Sequence, residues 1–268
     1  MRDAGRPEVV GPHGRLGVAW AVVTVAATAA GALWLALWLG AVAGLAGAQI
    51  VRARGGRSPA RSAGGGRPPP PPLNPVMVIA GVGAACVTLA GAAGPLAVAV
   101  AAGVVPAVAV GSVLVTRSAD TRTFTESLLV SGAAVMVGLG GAAPVLLRSG
   151  TGLVPVLVLF AYAMAYDAGN YVVGSGAASA WEGPAAGIAA TGTVTLTVAA
   201  VLAPPFDGIS PWLLGVLAAV LAPLGPIIAS AFPGTGGDRK VRMPALRRLD
   251  SLLVLGPLWS LVAVLLLN

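Results

Sequence analysis

Long stretches of apolar residues follow one another along the chain, separated by short segments that carry glycine, proline or charge. Many of these stretches reach about 18 residues or more, which lets an α-helix cross roughly 30 Å of hydrocarbon. Apolar and polar positions do not alternate over long segments, as the strands of a membrane barrel require. The pattern therefore predicts an all-α protein, a polytopic transmembrane helical bundle.

Residues 16–51 form a single apolar run. As one straight helix this run would be about 54 Å long, which is too long for one crossing. We predict a tight helical hairpin that turns near Gly31, and not a cleaved signal peptide, whose apolar region is much shorter. Further spans, which bring the total to about nine, are predicted near 75–93, 95–116, 126–147, 152–173, 184–204, 211–232 and 251–267.

The segment 52–74, "RARGGRSPARSAGGGRPPPPPLN", combines arginines, glycines and successive prolines. Such a composition cannot form a packed element and is typical of a semi-extended linker, here on the cytoplasmic side. It divides the chain into an N-terminal tail and transmembrane hairpin (1–51), the basic linker and a transmembrane core (75–268). Because proline-rich segments are recognised in extended form, a protein partner that docks on the linker is one possibility.

The composition agrees with a membrane protein, since 57% of the residues are hydrophobic, 9% are charged and the mean hydropathy is +0.90. The net charge of +7 flanks apolar spans, and no nucleic-acid recognition fold is visible, so nucleic acid is not an expected partner. A cytoplasmic N-terminus puts all 16 Lys and Arg residues except Arg148 on the cytoplasmic side. The positive-inside rule favours that arrangement, and we predict a multi-pass protein of the cell inner (plasma) membrane.

Four acids come to the predicted cytoplasmic face: Asp167, Glu182, Asp238 and Asp250. An acid near the membrane is costly unless it faces a cavity, a cation or a hydrogen-bond donor, so Asp167 is a functional candidate. Snorkelling to the interface, or pairing with an arginine, is the alternative role for this residue.

The loop 233–250, "PGTGGDRKVRMPALRRLD", adds several basic residues beside these acids. Glycines and cations in one loop can hold a phosphate group, or they can anchor the loop to anionic lipid. The chain has one cysteine, Cys86, and one histidine, His13. A disulfide within the chain, a cysteine metal site and a Ser-His-Asp or Cys-His catalytic set are therefore not indicated.

Four segments resemble the CDP-diacylglycerol synthase (phosphatidate cytidylyltransferase) family. "DAGNYVVG" at 167–174 and "WEGPAAG" at 181–187 resemble the family's D-x-G-A-Y-x-x-G and T-W-E-G-x-x-G-G elements. "PLGPIIASAF" at 223–232 resembles its L-G-D-x-x-x-S-x-x-K-R helix, and "RRLDSLLVLGP" at 247–257 resembles the closing D-R-x-D-S of its signature. The elements keep the family's order, and the resemblance is strongest in residues 160–268.

The resemblance implies a reaction of phospholipid biosynthesis. The phosphate of phosphatidate attacks the α-phosphate of CTP, which releases pyrophosphate and leaves CDP-diacylglycerol. Asp167 and Asp250 are the implied catalytic residues, and with Asp238 from the basic loop they are the expected ligands of Mg²⁺. The substrate-binding residues that match the family are Asn170, Tyr171, Trp181, Glu182, Ser230 and Arg248, and we also expect Arg242 and Arg247 of the basic loop to contact the substrate.

Several charged positions of the family pattern differ in this chain. Pro226 stands where an aspartate is expected, Arg247 replaces the first aspartate of the signature, and Pro233 and Gly234 replace a Lys-Arg pair. Transfer between two phosphate groups needs cations and carboxylates that offset the negative charge. We therefore predict a degenerate family member that binds phosphatidate or another anionic lipid, with weak or no catalysis. The alternatives are an active Mg²⁺-dependent cytidylyltransferase with an altered site, a membrane scaffold, and a small-solute transporter.

Overall fold

The fold is described from a computed structural model, which describes residues 12–55, 75–115, 121–232 and 243–267. These residues are almost entirely helical and contain no β-strand. A 3₁₀ turn, Gly91–Ala93, follows the third helix. The α-helices in chain order are α1 (Pro12–Ala30), α2 (Ala32–Gly55), α3 (Pro75–Ala90), α4 (Pro95–Val115), α5 (Thr121–Thr151), α6 (Leu153–Gly174), α7 (Glu182–Val201), α8 (Ser210–Leu221), α9 (Leu224–Ala231), α10 (Leu246–Leu249) and α11 (Leu252–Leu267).

Seven helical segments among the described residues are long and apolar enough to cross a membrane. They are Ala32–Arg54, Pro95–Leu114, Phe124–Thr151, Leu153–Gly174, Glu182–Val201, Ser210–Ala231 and Leu246–Leu267. Two shorter apolar stretches, Leu16–Ala30 and Val78–Ala93, lie in α1 and at α3. The predicted class of a multi-pass helical membrane protein is therefore confirmed, with seven full-length spans where the sequence predicts about nine.

The predicted hairpin near Gly31 is present. Gly31 separates α1 from α2 with φ +124°, a conformation that a residue with a Cβ rarely adopts. The two helices pack through aromatic residues, since the rings of Trp20 and Trp38 lie 5.2 Å apart. The indole Nε1 of Trp38 also donates a hydrogen bond to the hydroxyl of Thr24 (3.1 Å). The turn therefore depends on one glycine. Helices α1 and α2 pair through contacts between residues of the same apolar run.

Helix α2 lies at the centre of the bundle and not in a separate N-terminal unit. Leu35, Leu39 and Ile50 are fully buried in the same core as the helices after residue 75. A Cβ on Gly47 would lie only 2.6 Å from the carbonyl oxygen of Ala80, so α2 and α3 are in close backbone contact. Helices α2 and α3, on either side of the predicted linker, therefore share one core, and the division into 1–51 and 75–268 stays a prediction.

Helix α2 continues past the predicted linker boundary at residue 52. Arg52 and Arg54 belong to its last turn, where the negative end of the helix dipole favours basic side chains. Residues 56–74, which carry the rest of the predicted linker, lie outside the described residues. The linker itself stays a prediction.

One predicted span is broken into two helices, and a second is preceded by a separate short helix. The span 211–232 consists of α8 and α9, and the span 251–267 is preceded by α10 and a turn at 250–251. Pro223 and Pro226 both lack a backbone N–H, so a regular helix cannot continue with all its hydrogen bonds through the first break. Both breaks lie at the same end of the bundle, as the contacts of Gly225 described below show.

The two ends of the bundle differ in charge and both carry exposed tryptophan. Trp34 and Trp212 lie near the starts of α2 and α8, at one end, and Trp181 directly precedes α7, at the other end. Exposed tryptophans at both ends are typical of aromatic belts at the two membrane interfaces. At the end with Trp34, Arg148 donates a hydrogen bond through Nε to the carbonyl oxygen of Thr28 (2.9 Å).

Candidate functional site

Two carboxylates from distant parts of the chain accept hydrogen bonds from the same serine. Ser251, between α10 and α11, donates a hydrogen bond from its hydroxyl to Oδ2 of Asp167 on α6 (3.1 Å). Its backbone N–H donates to Oδ1 of the neighbouring Asp250 (2.9 Å). Asp167 and Asp250, which the sequence predicts at the same face of the membrane, are therefore joined through Ser251.

Two arginines accompany the acids. Arg248 interacts electrostatically with Asp167, and Arg247 with Asp250. Arg247 is exposed, whereas Arg248 is half-buried. Two partly buried carboxylates repel each other, so nearby cations and hydrogen-bond donors are needed to offset the cost of desolvation. We call Asp167, Arg247, Arg248, Asp250 and Ser251 the arginine–aspartate cluster.

Helix α1 also reaches the arginine–aspartate cluster. A Cβ at Gly17 would lie 3.5 Å from Nη1 of Arg248, so this guanidinium extends to the surface of α1. A Cβ at this position would make an ordinary van der Waals contact with the guanidinium. The first helix of the chain is thus part of the surroundings of the cluster, although the sequence analysis assigns it only a membrane span.

Gly225 on α9 allows the closest approach to the cluster. A Cβ at this position would overlap the backbone carbonyl oxygen of Asp250 and come within 3.0 Å of the Cα of Ser251. Only glycine is compatible with this packing, and the contact places the start of α9 directly against the turn between α10 and α11. Pro226, where the resemblance leads one to expect an aspartate, follows immediately, so this stretch of α9 supplies packing and no carboxylate.

Helix α2 contacts the elements on both sides of the cluster. The side-chain oxygen of Gln49 accepts a hydrogen bond from the backbone N–H of Ala245, just before α10 (3.2 Å). Nε of Arg54 donates to the carbonyl oxygen of Phe232, just after α9 (2.6 Å). Gln49 is not among the residues predicted from the sequence, although a glutamine inside an apolar span is a visible signal of a polar partner.

Glu182 has a local partner at the start of α7. Its Oε1 accepts a hydrogen bond from the backbone N–H of Ser179 (3.0 Å), and the hydroxyl of Ser179 accepts one from the N–H of Trp181 (3.4 Å). The glutamate thus bonds a backbone N–H three residues earlier, which is half of the capping-box pattern, and it stabilises the turn that leads into α7; Trp181 is the N-cap and has no side-chain bond of its own. This role explains the glutamate without a substrate, and the spacing in "SAWE" indicates it.

The other predicted residues of this region lie at the surface or between α6 and α7. Trp181 is 78% exposed and Tyr171 is also exposed. The side-chain oxygen of Asn170 faces α7, because a Cβ at Gly183 would lie 2.5 Å from it. None of the contacts described here brings Asn170, Tyr171 or Trp181 to the arginine–aspartate cluster.

The remaining predicted residues do not complete a metal site within the described structure. Ser230 is exposed and donates to the carbonyl oxygen of Ile227 in its own helix (2.6 Å). Asp238 and Arg242 lie outside the described residues. Among the residues that are described, no group of three or more His, Cys, Asp or Glu side chains comes together. The Mg²⁺ site with three carboxylates, of which Asp238 is the third, therefore stays a prediction.

The described part of the cluster fits a Mg²⁺ ion only in part. Asp167 and Asp250 each direct one oxygen to Ser251, so each has a second carboxylate oxygen for another partner. Protein-bound Mg²⁺ commonly takes one or two carboxylates, with water and substrate phosphate oxygens as the other ligands. The donor set is therefore compatible with Mg²⁺ that arrives together with a phosphate group.

Comparison of the chain with models of protein families, with curated proteins and with solved structures gives no match.

Proposed function

We propose that this protein binds phosphatidate, or another phospholipid with an anionic headgroup, at the arginine–aspartate cluster. The supporting observation is the meeting of Asp167 and Asp250 on Ser251 with Arg248 close by. Guanidinium groups bind phosphate through charge-assisted hydrogen bonds, and the carboxylates orient arginine side chains or bind a cation. The cluster thus combines a phosphate-binding cation with two acids at one end of a membrane helical bundle.

The proposed topology has about nine spans and a cytoplasmic N-terminus in the cell inner (plasma) membrane. The two shorter apolar helices, added to the seven long ones, support this count. Arg52, Arg54, Arg247 and Arg248 belong to elements that meet at the cluster, whereas Arg148 contacts the opposite end of α1. The arginines are thus more numerous at the end of the bundle with the cluster, and the positive-inside rule associates such an excess with the cytoplasmic side.

We further propose that the protein is a degenerate relative of the CDP-diacylglycerol synthases, with weak or no cytidylyl transfer. Pro226 and Arg247 replace two expected acids, and the exposed Arg247 lies beside Asp250. Replacing a carboxylate by arginine beside the remaining acid reverses the charge that would hold a cation there. The same change favours a phosphate group, so lipid binding is more compatible with the cluster than metal-dependent transfer.

Should the protein be active, Asp167 and Asp250 would hold Mg²⁺, with Asp238 as the third expected ligand. The ion would offset charge on the phosphates of CTP and phosphatidate. Arg248, between α1 and α6, is then the residue suited to orient the lipid phosphate. Ser251 holds the two acids at a fixed separation in either case.

One experiment separates binding from transfer. The purified protein in nanodiscs is incubated with phosphatidate and CTP, with and without Mg²⁺, and both lipid binding and CDP-diacylglycerol formation are measured. We expect saturable phosphatidate binding with little or no product. Robust Mg²⁺-dependent product formation would overturn the degenerate assignment and establish the active alternative.

A matched pair of variants tests the binding site. Arg248→Gln removes the guanidinium of the cluster, and we expect at least a tenfold loss of phosphatidate affinity. Arg52→Gln removes the same charge from an exposed position in the last turn of α2 and serves as the control. Equal loss in both variants would show that binding reflects general attraction to a basic surface, and would contradict a site at the cluster.

A further inference from the structure

Two side chains in the last turns of α2 hold the ends of the segment that joins α9 to α10. Arg54 donates through Nε to the carbonyl oxygen of Phe232 (2.6 Å), and Gln49 accepts from the N–H of Ala245 (3.2 Å). Residues 233–242 between these two points lie outside the described residues. The two bonds link positions that are far apart in sequence, so they are a property of the tertiary fold.

Each of these bonds satisfies a backbone group at a helix end. Phe232 is the C-cap of α9 and Ala245 is the N-cap of α10, and neither cap has a side chain suited to the task. Terminal backbone groups of a helix have no partner within that helix, and they need one from elsewhere. A cation at a helix C-terminus is also favoured by the helix dipole. Helix α2 therefore provides the caps that α9 and α10 lack.

The short helix α10 depends on such support. It has a single turn, Leu246–Leu249, which is too short to be stable by itself. It carries Arg247 and Arg248, and Asp250 follows directly. On the other side, α9 places Gly225 against the carbonyl of Asp250. The position of the arginine–aspartate cluster is thus set by two elements whose ends are both held by α2.

We infer that Gln49 and Arg54 are positioning residues of the arginine–aspartate cluster. They act through α10 and α9 and need not touch a bound lipid. The effect on lipid affinity rests on the proposed function, whereas the effect on the order of α9 and α10 does not.

The perturbation removes each hydrogen bond while keeping side-chain bulk. Gln49→Met loses the acceptor and Arg54→Met loses the donor, and we expect each to weaken phosphatidate binding about five- to tenfold. Gln49→Glu keeps an acceptor for the N–H of Ala245 and should retain the order of α10. Arg52→Met removes an equal charge two positions from Arg54 and is the control, since Arg52 is exposed.

Amide hydrogen exchange of the full-length protein in nanodiscs gives a readout that needs no ligand. We expect Gln49→Met to speed exchange in residues 245–251 and Arg54→Met to speed it in residues 228–232. Gln49→Glu and Arg52→Met should exchange like the parent protein. Phosphatidate binding to the same nanodiscs is measured in parallel.

The outcomes separate the two proposals. Faster exchange and weaker binding in Gln49→Met and Arg54→Met, without either change in Arg52→Met, supports positioning by α2. Unchanged exchange in both Met variants overturns it, as does an equal effect of Arg52→Met and Arg54→Met. If the parent protein binds no phosphatidate but the Met variants exchange faster as expected, positioning by α2 stands and the proposed lipid-binding function fails.

Discussion

Replacing Ser251 by alanine is expected to separate the two acids of the cluster with minimal disturbance elsewhere. The variant removes the hydroxyl that donates to Asp167 but keeps the backbone N–H that donates to Asp250. It therefore breaks only the link between α6 and the α10–α11 turn. Because Ser251 is 1% exposed, water cannot readily take the place of the lost hydroxyl.

The magnitude follows from the geometry of the lost bond. The distance of 3.1 Å between Ser251 Oγ and Asp167 Oδ2 is slightly longer than the usual range for O–H···O bonds. Hydrogen bonds to charged groups contribute about 1.5–3 kcal/mol, and we take the lower end of this range. Ser251→Ala should therefore lower the free energy of unfolding by about 1.5 kcal/mol, most of it through Asp167.

A double-mutant cycle isolates that contribution. The free energy of unfolding is measured by SDS titration in mixed micelles for the parent, Ser251→Ala, Asp167→Ala and the double variant. We expect a coupling energy of about 1–1.5 kcal/mol between the two positions. A second cycle pairs Asp167→Ala with Ser230→Ala, an exposed serine whose hydroxyl donates within its own helix, and should show no coupling.

The result that refutes this reasoning is additivity. Independent sites usually add within about 0.5 kcal/mol, so a Ser251–Asp167 coupling below that value would show that the hydroxyl does not join the acids. A coupling of the same size in the Ser230 cycle would indicate a general effect of Asp167→Ala on the fold. In either case the arginine–aspartate cluster would lose its supporting contact.

Three further predictions concern contacts around the cluster and at the ends of the bundle. Gly225→Ala should destabilise the protein by about 1–3 kcal/mol, because the new Cβ overlaps the carbonyl of Asp250. Gly192→Ala is the control, since the space around Gly192 is open, and it should not destabilise the protein. Equal unfolding midpoints of the two variants would contradict the contact. Glu182→Ala should speed amide exchange at Ser179 and in the turn that leads into α7, whereas Glu182→Gln, which keeps the acceptor, should not; equal exchange in both would contradict the bond to Ser179. Arg148→Met should lower the free energy of unfolding by about 1 kcal/mol by releasing α1 at its C-terminal end, and an unchanged SDS titration would show that the bond to Thr28 is not stabilising.

The membrane class and the hairpin at Gly31 follow directly from the sequence, for a simple physical reason. Span length and apolar composition are set by the thickness of the bilayer, and both can be counted along the chain. Gly31 interrupts an apolar run that is too long for one crossing, and the structure places the turn at that residue. Local signals of this kind do not depend on which helices become neighbours.

The central position of α2 and the site partners Ser251 and Gln49 could not be predicted in the same way. Nothing local distinguishes a central membrane helix from a peripheral one, because both are apolar throughout their length. The hydroxyl of Ser251 bonds Asp167, which lies 84 positions earlier in the chain, so the pair depends on how the turn between α10 and α11 packs against α6. Gln49 is visible as a polar residue in an apolar span, but its partner is a backbone N–H, which no sequence pattern identifies.

The positions that carry the sequence resemblance fall into two physical groups. Glycines such as Gly187, whose Cβ would lie 2.6 Å from the ring of Tyr166, and Gly225 at Asp250 are required by close packing. Arg247 and Ser230, by contrast, are exposed, so packing restricts their identity far less. A chain can therefore keep the glycines that hold this arrangement of helices while the charges that perform a reaction change. In this chain, close packing therefore restricts Gly187 and Gly225, whereas the exposed Arg247 and Ser230 can be replaced at little cost in packing.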